Sequence, residues 1–218
     1  MTQASEVVFL FDIDNTLLDN DRVQADLSAH LLDVYGATAR DRYWAIFEQL
    51  RTQLGYADYL GALQRYRLEA LHDPQLLQMA NWLIDYPFAD RLYPGALEAV
   101  AHAHAHGLPV ILSDGDAVFQ PHKIERSGLA RAFEGRALIY VHKEQELLDV
   151  ERWYPAKRYV MIDDKLRILA AMKRIWGDRL TTVFVAQGHY ARDVAALAGL
   201  PPADREFDRI GDFVNSIA

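Results

Sequence analysis

Five stretches of the chain are continuously apolar or β-branched, and the positions between them repeat with a helical period. Val7-Val8-Phe9-Leu10-Phe11 has no polar position. Such a run predicts a strand buried on both faces, as in a parallel sheet layered between helices. Residues 108–112, 159–162 and 181–185 read the same way, and 137–141 is a fifth candidate. Helical patterns cover 95–106, stopping at Gly107, where a left-handed residue past the helix end is predicted, and 165–176, ending at Gly177. Strand and helix alternation of this kind implies βαβ units and an α/β, doubly wound parallel sheet. Ligands of such sheets bind at the carboxyl ends of the strands. Three of the runs lead into polar residues there: Asp12, Ser113-Asp114-Gly115, and Asp163-Asp164.

Residues 21–90 follow another pattern. Leu27, Leu31 and Val34, then Trp44, Phe47 and Leu50, recur at helical spacing, with turn signals at Gly36, Gly55 and His72-Asp73-Pro74. This predicts a helical insert after the first strand, with Asp19 and Asp21 at its entry and Tyr93-Pro94-Gly95 at the return. The expected organisation is an α/β core of residues 1–18 and 90–218 and a smaller helical domain of 19–89. Its aromatics (Tyr43, Trp44, Phe47, Tyr59, Tyr66, Trp82 and Tyr86) read mostly as the core of a small bundle, with one or two facing a ligand.

Asp12 and Asp14 straddle Ile13 directly after the first strand. A carboxylate there can attack phosphorus and form an aspartyl phosphate. Repulsion from an anionic substrate is its difficulty, which a divalent cation relieves. A second carboxyl two residues on can protonate the leaving oxygen and later deprotonate water. Taken alone, the same pair also fits a turn and a helix cap.

The run Phe11-Asp12-Ile13-Asp14-Asn15-Thr16-Leu17 resembles the first signature, Asp-x-Asp-x-Thr, of the haloacid dehalogenase-like (HAD) superfamily. Tyr93-Pro94-Gly95, a helix, Gly107, a strand and Ser113 resemble the approach to its second signature. Downstream, the run from Lys123-Ile124-Glu125-Arg126 to Ser127-Gly128-Leu129, with Phe133, is also similar. Lys143 stands where the third signature belongs, although Glu144 follows it where many relatives have proline. Asp163-Asp164 resembles the fourth.

The resemblance implies a Rossmann-like core with an inserted helical cap, and roles for these residues. Asp12 is the implied nucleophile and Asp14 the acid/base. Ser113, the Asp114-Gly115 backbone and Lys143 are implied to hold a phosphoryl group. Mg2+ would be held by Asp12, the Asp14 carbonyl and Asp164, with Asp163 as a further ligand or beside one. Asp14 favours phosphate esters over halides, because a halide leaves without a proton whereas an alkoxide benefits from one. The implied function is a magnesium-dependent phosphatase acting on a small phosphorylated metabolite. A phosphomutase and a non-catalytic magnesium-binding regulator are the alternatives. Asp114 and Asp116, acids beside a phosphate-binding serine, have no account from sequence.

Composition narrows the picture little further. A net charge of -8 weighs against nucleic acid as a partner. The absence of cysteine excludes disulfides and thiolate chemistry and fits a cytoplasmic protein. The first apolar run is too short for a signal peptide, and no run approaches the roughly 20 residues of a membrane span, so no membrane partner is expected. His102 and His106 share a helix face, but no carboxylate joins them, and they read as a solvated helix end. The pattern carries no oligomeric state.

Overall fold

The structure, a computed structural model, describes residues 4–69 and 75–215. The turn predicted at His72-Asp73-Pro74 lies outside the described residues. Among the described residues there are six strands: β1 (Ser5–Phe11), β2 (Leu108–Asp114), β3 (Ala137–Tyr140), β4 (Ala156–Asp163), β5 (Leu180–Val185) and β6 (Arg205–Phe207). They form one sheet in the order β3-β2-β1-β4-β5-β6, and every neighbouring pair is parallel. The chain builds outward from β1 to β3, then returns to place β4 on the other side of β1. That reversal opens a crevice beyond the carboxyl ends of β1 and β4.

All five predicted strands form. β6 escapes the sequence reading because it has three residues, of which Arg205 and Glu206 are exposed. Such an edge strand carries no apolar run. The helices are α1 (Asn20–Leu54), α2 (Tyr59–Glu69), α3 (Leu76–Asp85), α4 (Ala96–His106), α5 (Phe119–Arg126), α6 (Leu129–Ala132), α7 (Leu147–Trp153), α8 (Leu166–Trp176) and α9 (Val194–Leu197). Alternate residues of β1 supply opposite faces, as a two-residue period requires. Phe9 and Phe11 pack in one cluster with Ala99, Val100 and Ala103 of α4 and Ile124 of α5. Val8 and Leu10 join Ile168, Leu169 and Met172 of α8 and Val150 of α7 in the other. The strand is continuously apolar because both faces are covered.

Between β1 and α4 the described residues form helices and no strand of the sheet. Gly36 (φ 81°, ψ 171°) is non-helical, so the span α1 is two helical stretches meeting at a kink where the turn signal falls. Gly55 ends α1 in the left-handed conformation, its N–H donating to Arg51 O at 3.0 Å. Leu27, Leu31, Phe47 and Leu50 are buried, as their spacing predicts. The entering and leaving segments run side by side: Asp19 N–H donates to Arg91 O at 2.8 Å, and Tyr93 N–H to Leu17 O at 2.9 Å. No helix among the described residues is long and apolar enough to cross a membrane.

The helix α8 ends at Gly177 as expected, with φ 55° and ψ -130°, but Gly107 does not follow α4 in the left-handed conformation expected there. Its φ of 173° is extended backbone open to any residue. Glycine is required there by close approach instead, because a Cβ would lie 2.6 Å from Val7 O. Gly95, which precedes α4, meets both constraints: φ is +85°, and a Cβ would lie 2.4 Å from Gly211 Cα. Gly95→Ala is therefore expected to destabilise the protein by about 2–4 kcal/mol, combining left-handed strain with overpacking. A urea titration with an unchanged slope checks this; a loss below about 1 kcal/mol would mean the backbone relaxes freely.

Candidate active site

The crevice at the reversal point gathers polar residues from four loops. Asp12 extends the ladder of β1, its N–H donating to Ile162 O at 3.0 Å, and its side chain is buried. The chain then coils tightly: the N–H groups of Thr16, Leu17 and Leu18 converge on Ile13 O at 3.1, 2.9 and 2.9 Å. Asn15 takes a left-handed φ of 63° in this turn. Its side chain is held by Asp21, which accepts from Asn15 Nδ2 at 2.9 Å and donates its own N–H to Asn15 Oδ1 at 3.1 Å. The turn keeps Thr16 inside, where Oγ1 lies 3.4 Å from Asp12 Oδ2 and accepts the Asp164 N–H at 3.0 Å. Thr16 thereby ties the end of β1 to the end of β4.

Lys143 lies in a short 3-10 turn after β3 and is fully buried. Its Nζ sits 2.5 Å from Asp12 Oδ1, 2.7 Å from Asp163 Oδ2 and 3.2 Å from Leu112 O. Burial alone would lower the ammonium's pKa, but Asp12, Asp163 and Asp114 outweigh it and hold the group protonated. Asp163 Oδ1 accepts the Lys165 N–H at 2.8 Å. Asp164 is different: it is fully buried, and neither carboxylate oxygen has a hydrogen-bond partner among the described residues. Burial pushes the Asp164 carboxyl well above the usual range, only partly countered by Lys165, and raises Asp163 also.

Carboxylate oxygens of Asp12, Asp163 and Asp164 all lie within 4.8 Å of one another. Unpartnered buried carboxylate oxygens are costly, and a cation is the usual compensation. An all-oxygen donor set without sulfur or imidazole suits a hard divalent ion such as Mg2+. The residues present therefore fit that ion.

Asp14 points to the open side and is partly exposed, with Lys123 Nζ donating to Oδ1 at 2.6 Å and to Oδ2 at 2.9 Å. Ser113 is buried near the end of β2, and Gln120 Nε2 reaches both its Oγ (3.0 Å) and Asp14 Oδ2 (3.5 Å). The structure explains the two acids that sequence left open. Asp114 accepts the Lys143 backbone N–H at 2.8 Å and so fixes the turn that presents the lysine. Asp116 holds the turn leading into α5, accepting from Val118 N and Phe119 N at 2.8 and 2.6 Å. Gly115 departs from its expected place: its N–H donates to Tyr140 O at 2.9 Å, so it is not available to a phosphoryl group in this arrangement. Glycine serves there to admit Gln120, whose Cγ would lie 2.7 Å from a Cβ.

A cleft of about 290 Å³ opens from this cluster toward the helical insert. Asp14, Asp114 and Lys165 line its floor, and Gln24, Phe47, Arg51 and Tyr56 face them from the insert. Phe47 is thus the one predicted insert aromatic that lines the cleft. Sequence reasoning gave no role to Gln120, Lys123, Lys165, Arg51 or Tyr56. Lys123 did leave a signal, since Phe119, Gln120, Lys123 and Ile124 form the buried face of α5. A lysine on such a face requires a counter-charge. His102 and His106 contact each other at 4.4 Å between ring centroids, and they are not part of the acidic cluster.

A parallel sheet of this order, with acids clustered at the carboxyl ends of β1 and β4, defines a Rossmann-like core of the hydrolase type. The chain belongs to the haloacid dehalogenase-like hydrolases, whose family model matches residues 7–175. No curated protein matches it significantly. Among solved structures, it is similar to a haloacid dehalogenase-like hydrolase from Burkholderia xenovorans LB400. Identity there is 63%, over 97% of this chain and 96% of that one, with a TM-score of 0.92. The L-2-haloacid dehalogenase of Xanthobacter autotrophicus shares the fold at 18% identity and a TM-score of 0.64, covering 96% of this chain and 97% of its own. So does the HAD-hydrolase YfnB of Bacillus subtilis, solved bound to magnesium, at 15% identity and 0.64, covering 97% and 98%.

Proposed function

We propose that the protein is a magnesium-dependent phosphatase that hydrolyses a small phosphate monoester through an aspartyl phosphate on Asp12. The observation that carries this reading is the fully buried Asp164, with two unpartnered carboxylate oxygens, beside Asp12 and Asp163. Asp12, the Asp14 carbonyl and Asp164 would hold the ion, with Asp163 turned partly to Lys143. Bound there, magnesium supplies positive charge that lets one anion approach another. Lys143 fixes Asp12 through Oδ1 and offers its charge to the phosphoryl oxygens, and Ser113 Oγ offers a hydrogen bond. Asp12 attacks phosphorus as Asp14 protonates the departing alcohol. Asp14 then takes a proton from water, and the resulting hydroxide cleaves the acyl phosphate, returning Asp12. In this reading residues 19–89 act as a cap that covers the cleft and reads the leaving group through Phe47, Arg51 and Tyr56. The cleft's size favours a small phosphorylated metabolite.

The test is a panel of phosphorylated metabolites with and without magnesium, scored for inorganic phosphate, with 2-haloacids scored for halide in parallel. Magnesium-dependent phosphate release supports the reading. Halide release without phosphate release would replace it with dehalogenation, and phosphate transfer to a second sugar would replace it with a mutase.

The metal site makes its own prediction. Magnesium at about 100 times its Kd should stabilise the protein by about 2.7 kcal/mol, a rise of several degrees in Tm. Asp164→Asn should abolish that rise, while the metal-free variant melts no lower than the metal-free parent because a buried, unpartnered carboxylate is gone. The sign with pH follows from the raised Asp164 pKa. The metal-free protein loses stability as pH climbs from the ordinary carboxylate range through the raised value, whereas magnesium takes the ionised form and stabilises more at the upper end. Scanning calorimetry with and without magnesium at several pH values checks this; an equal magnesium shift in Asp164→Asn would remove Asp164 from the site.

A further inference from the structure

We infer that Lys123 is the positioning residue for Asp14, holding its carboxyl toward the leaving group; this rests on the phosphatase reading above. Lys123 is 1% exposed, although it carries a charge on a buried helix face that it shares with Phe119, Gln120 and Ile124. Its Nζ donates to both oxygens of Asp14, at 2.6 and 2.9 Å, with Asn20 Oδ1 at 3.4 Å. The desolvation of a buried ammonium is offset only by a partner in good geometry, and Asp14 supplies it.

Asp14 itself lies at the cleft, with 22% of its side chain exposed, and solvent alone would let it adopt other rotamers. Gln120 adds a longer contact from Nε2 at 3.5 Å and joins the same carboxyl to Ser113. Two residues one turn apart on α5 therefore aim Asp14 relative to the phosphoryl side of the cleft. The network continues into the insert, since Asn20 Nδ2 donates to Tyr59 OH at 3.3 Å and Gln24 Nε2 to the same oxygen at 3.1 Å. Lys123 thus sits between the acid/base carboxyl and the first turns of α1 and α2. In turnover the proton passes from Asp14 to the leaving oxygen and later from water to Asp14. Lys123 donates to either form of the carboxyl and neither gains nor loses a proton.

A residue that acts through the general acid should matter in proportion to the leaving group's need for a proton. Phenyl phosphate and para-nitrophenyl phosphate have the same shape near phosphorus, but nitrophenolate departs readily without one. The measurement is kcat/KM for both esters with magnesium, because it reports the steps up to formation of the aspartyl phosphate. In Lys123→Met the ratio of phenyl to para-nitrophenyl kcat/KM is expected to fall roughly tenfold, part of the 10²–10⁴-fold that general acids supply. Added to Asp14→Asn, the same substitution should leave the ratio where Asp14→Asn alone puts it. Lys123→Gln carries the same comparison if the methionine variant does not fold. Equal losses on both esters, or a full additional fall of the ratio in the Asp14→Asn background, would overturn the role of Lys123 and leave the phosphatase reading intact. A parent enzyme that turns over neither ester, nor any member of the metabolite panel, would overturn the phosphatase reading first and this inference with it.

Discussion

Asp12→Asn is expected to lower kcat by about 10⁴-fold or more, the scale seen when a nucleophile is removed from an otherwise intact site. The change is nearly isosteric, so the buried turn around Ile13 and the contact between β1 and β4 should persist. The carboxamide lacks the charge that makes the carboxylate a nucleophile at phosphorus. Stability should change little, because Lys143 keeps Asp163 as a partner at 2.7 Å. Magnesium affinity should fall, since one of three clustered carboxylates is gone. The covalent step is directly observable: acid-quenched parent enzyme with a phosphate ester should yield a peptide bearing a phosphoryl group on Asp12, and the variant should yield none. Turnover within tenfold of the parent would end the case for Asp12 as nucleophile, whatever the substrate.

Much of this site was legible because backbone position and chemistry coincide in a parallel sheet. An apolar run buried on both faces must end where the chain meets the crevice, so Asp12, Ser113 and Asp163 were placed by the strands that precede them. Lys143 was legible only by its order along the chain, because nothing local distinguishes it from a solvated lysine. What sets it apart is non-local: Asp114, 29 residues earlier in sequence, accepts its backbone N–H. Gly115 went astray for a related reason: a Ser-Asp-Gly sequence shows backbone N–H groups but not that β3 claims one of them. The break at Gly36 was legible because glycine marks an interruption of a helical pattern, but the angle between the two stretches was not. β6 left no trace, since an exposed edge strand of three residues has no pattern to detect. Partners across the cleft, such as Arg51 and Tyr56, depend on how the insert folds back, and pattern alone does not fix that.

Lys143→Met is expected to separate stability, metal binding and catalysis in one variant. Methionine matches the length of the lysine stem and fills its space, so the packing loss is small. The charge loss is not. Asp12 and Asp163 would remain buried without their common cation, and removing one partner of a buried ionic group costs about 3–5 kcal/mol. A denaturant titration of the metal-free variant should show that loss. Magnesium should then restore more stability than it adds to the parent. The same electrostatics predict a tighter magnesium Kd, because a positive charge beside two carboxylates of the acidic cluster has been taken away, with Asp164 still in place. Turnover should nevertheless fall by about 10²–10³-fold, the scale for losing one group that stabilises transition-state charge. A tighter metal site with a slower enzyme is a combination that general damage to the fold does not produce. Isothermal titration with magnesium, set beside kcat on the best ester of the panel, provides the comparison. Weaker magnesium binding together with an unchanged kcat would show that Lys143 serves only to knit β3 to the core and has no part in holding the phosphoryl group.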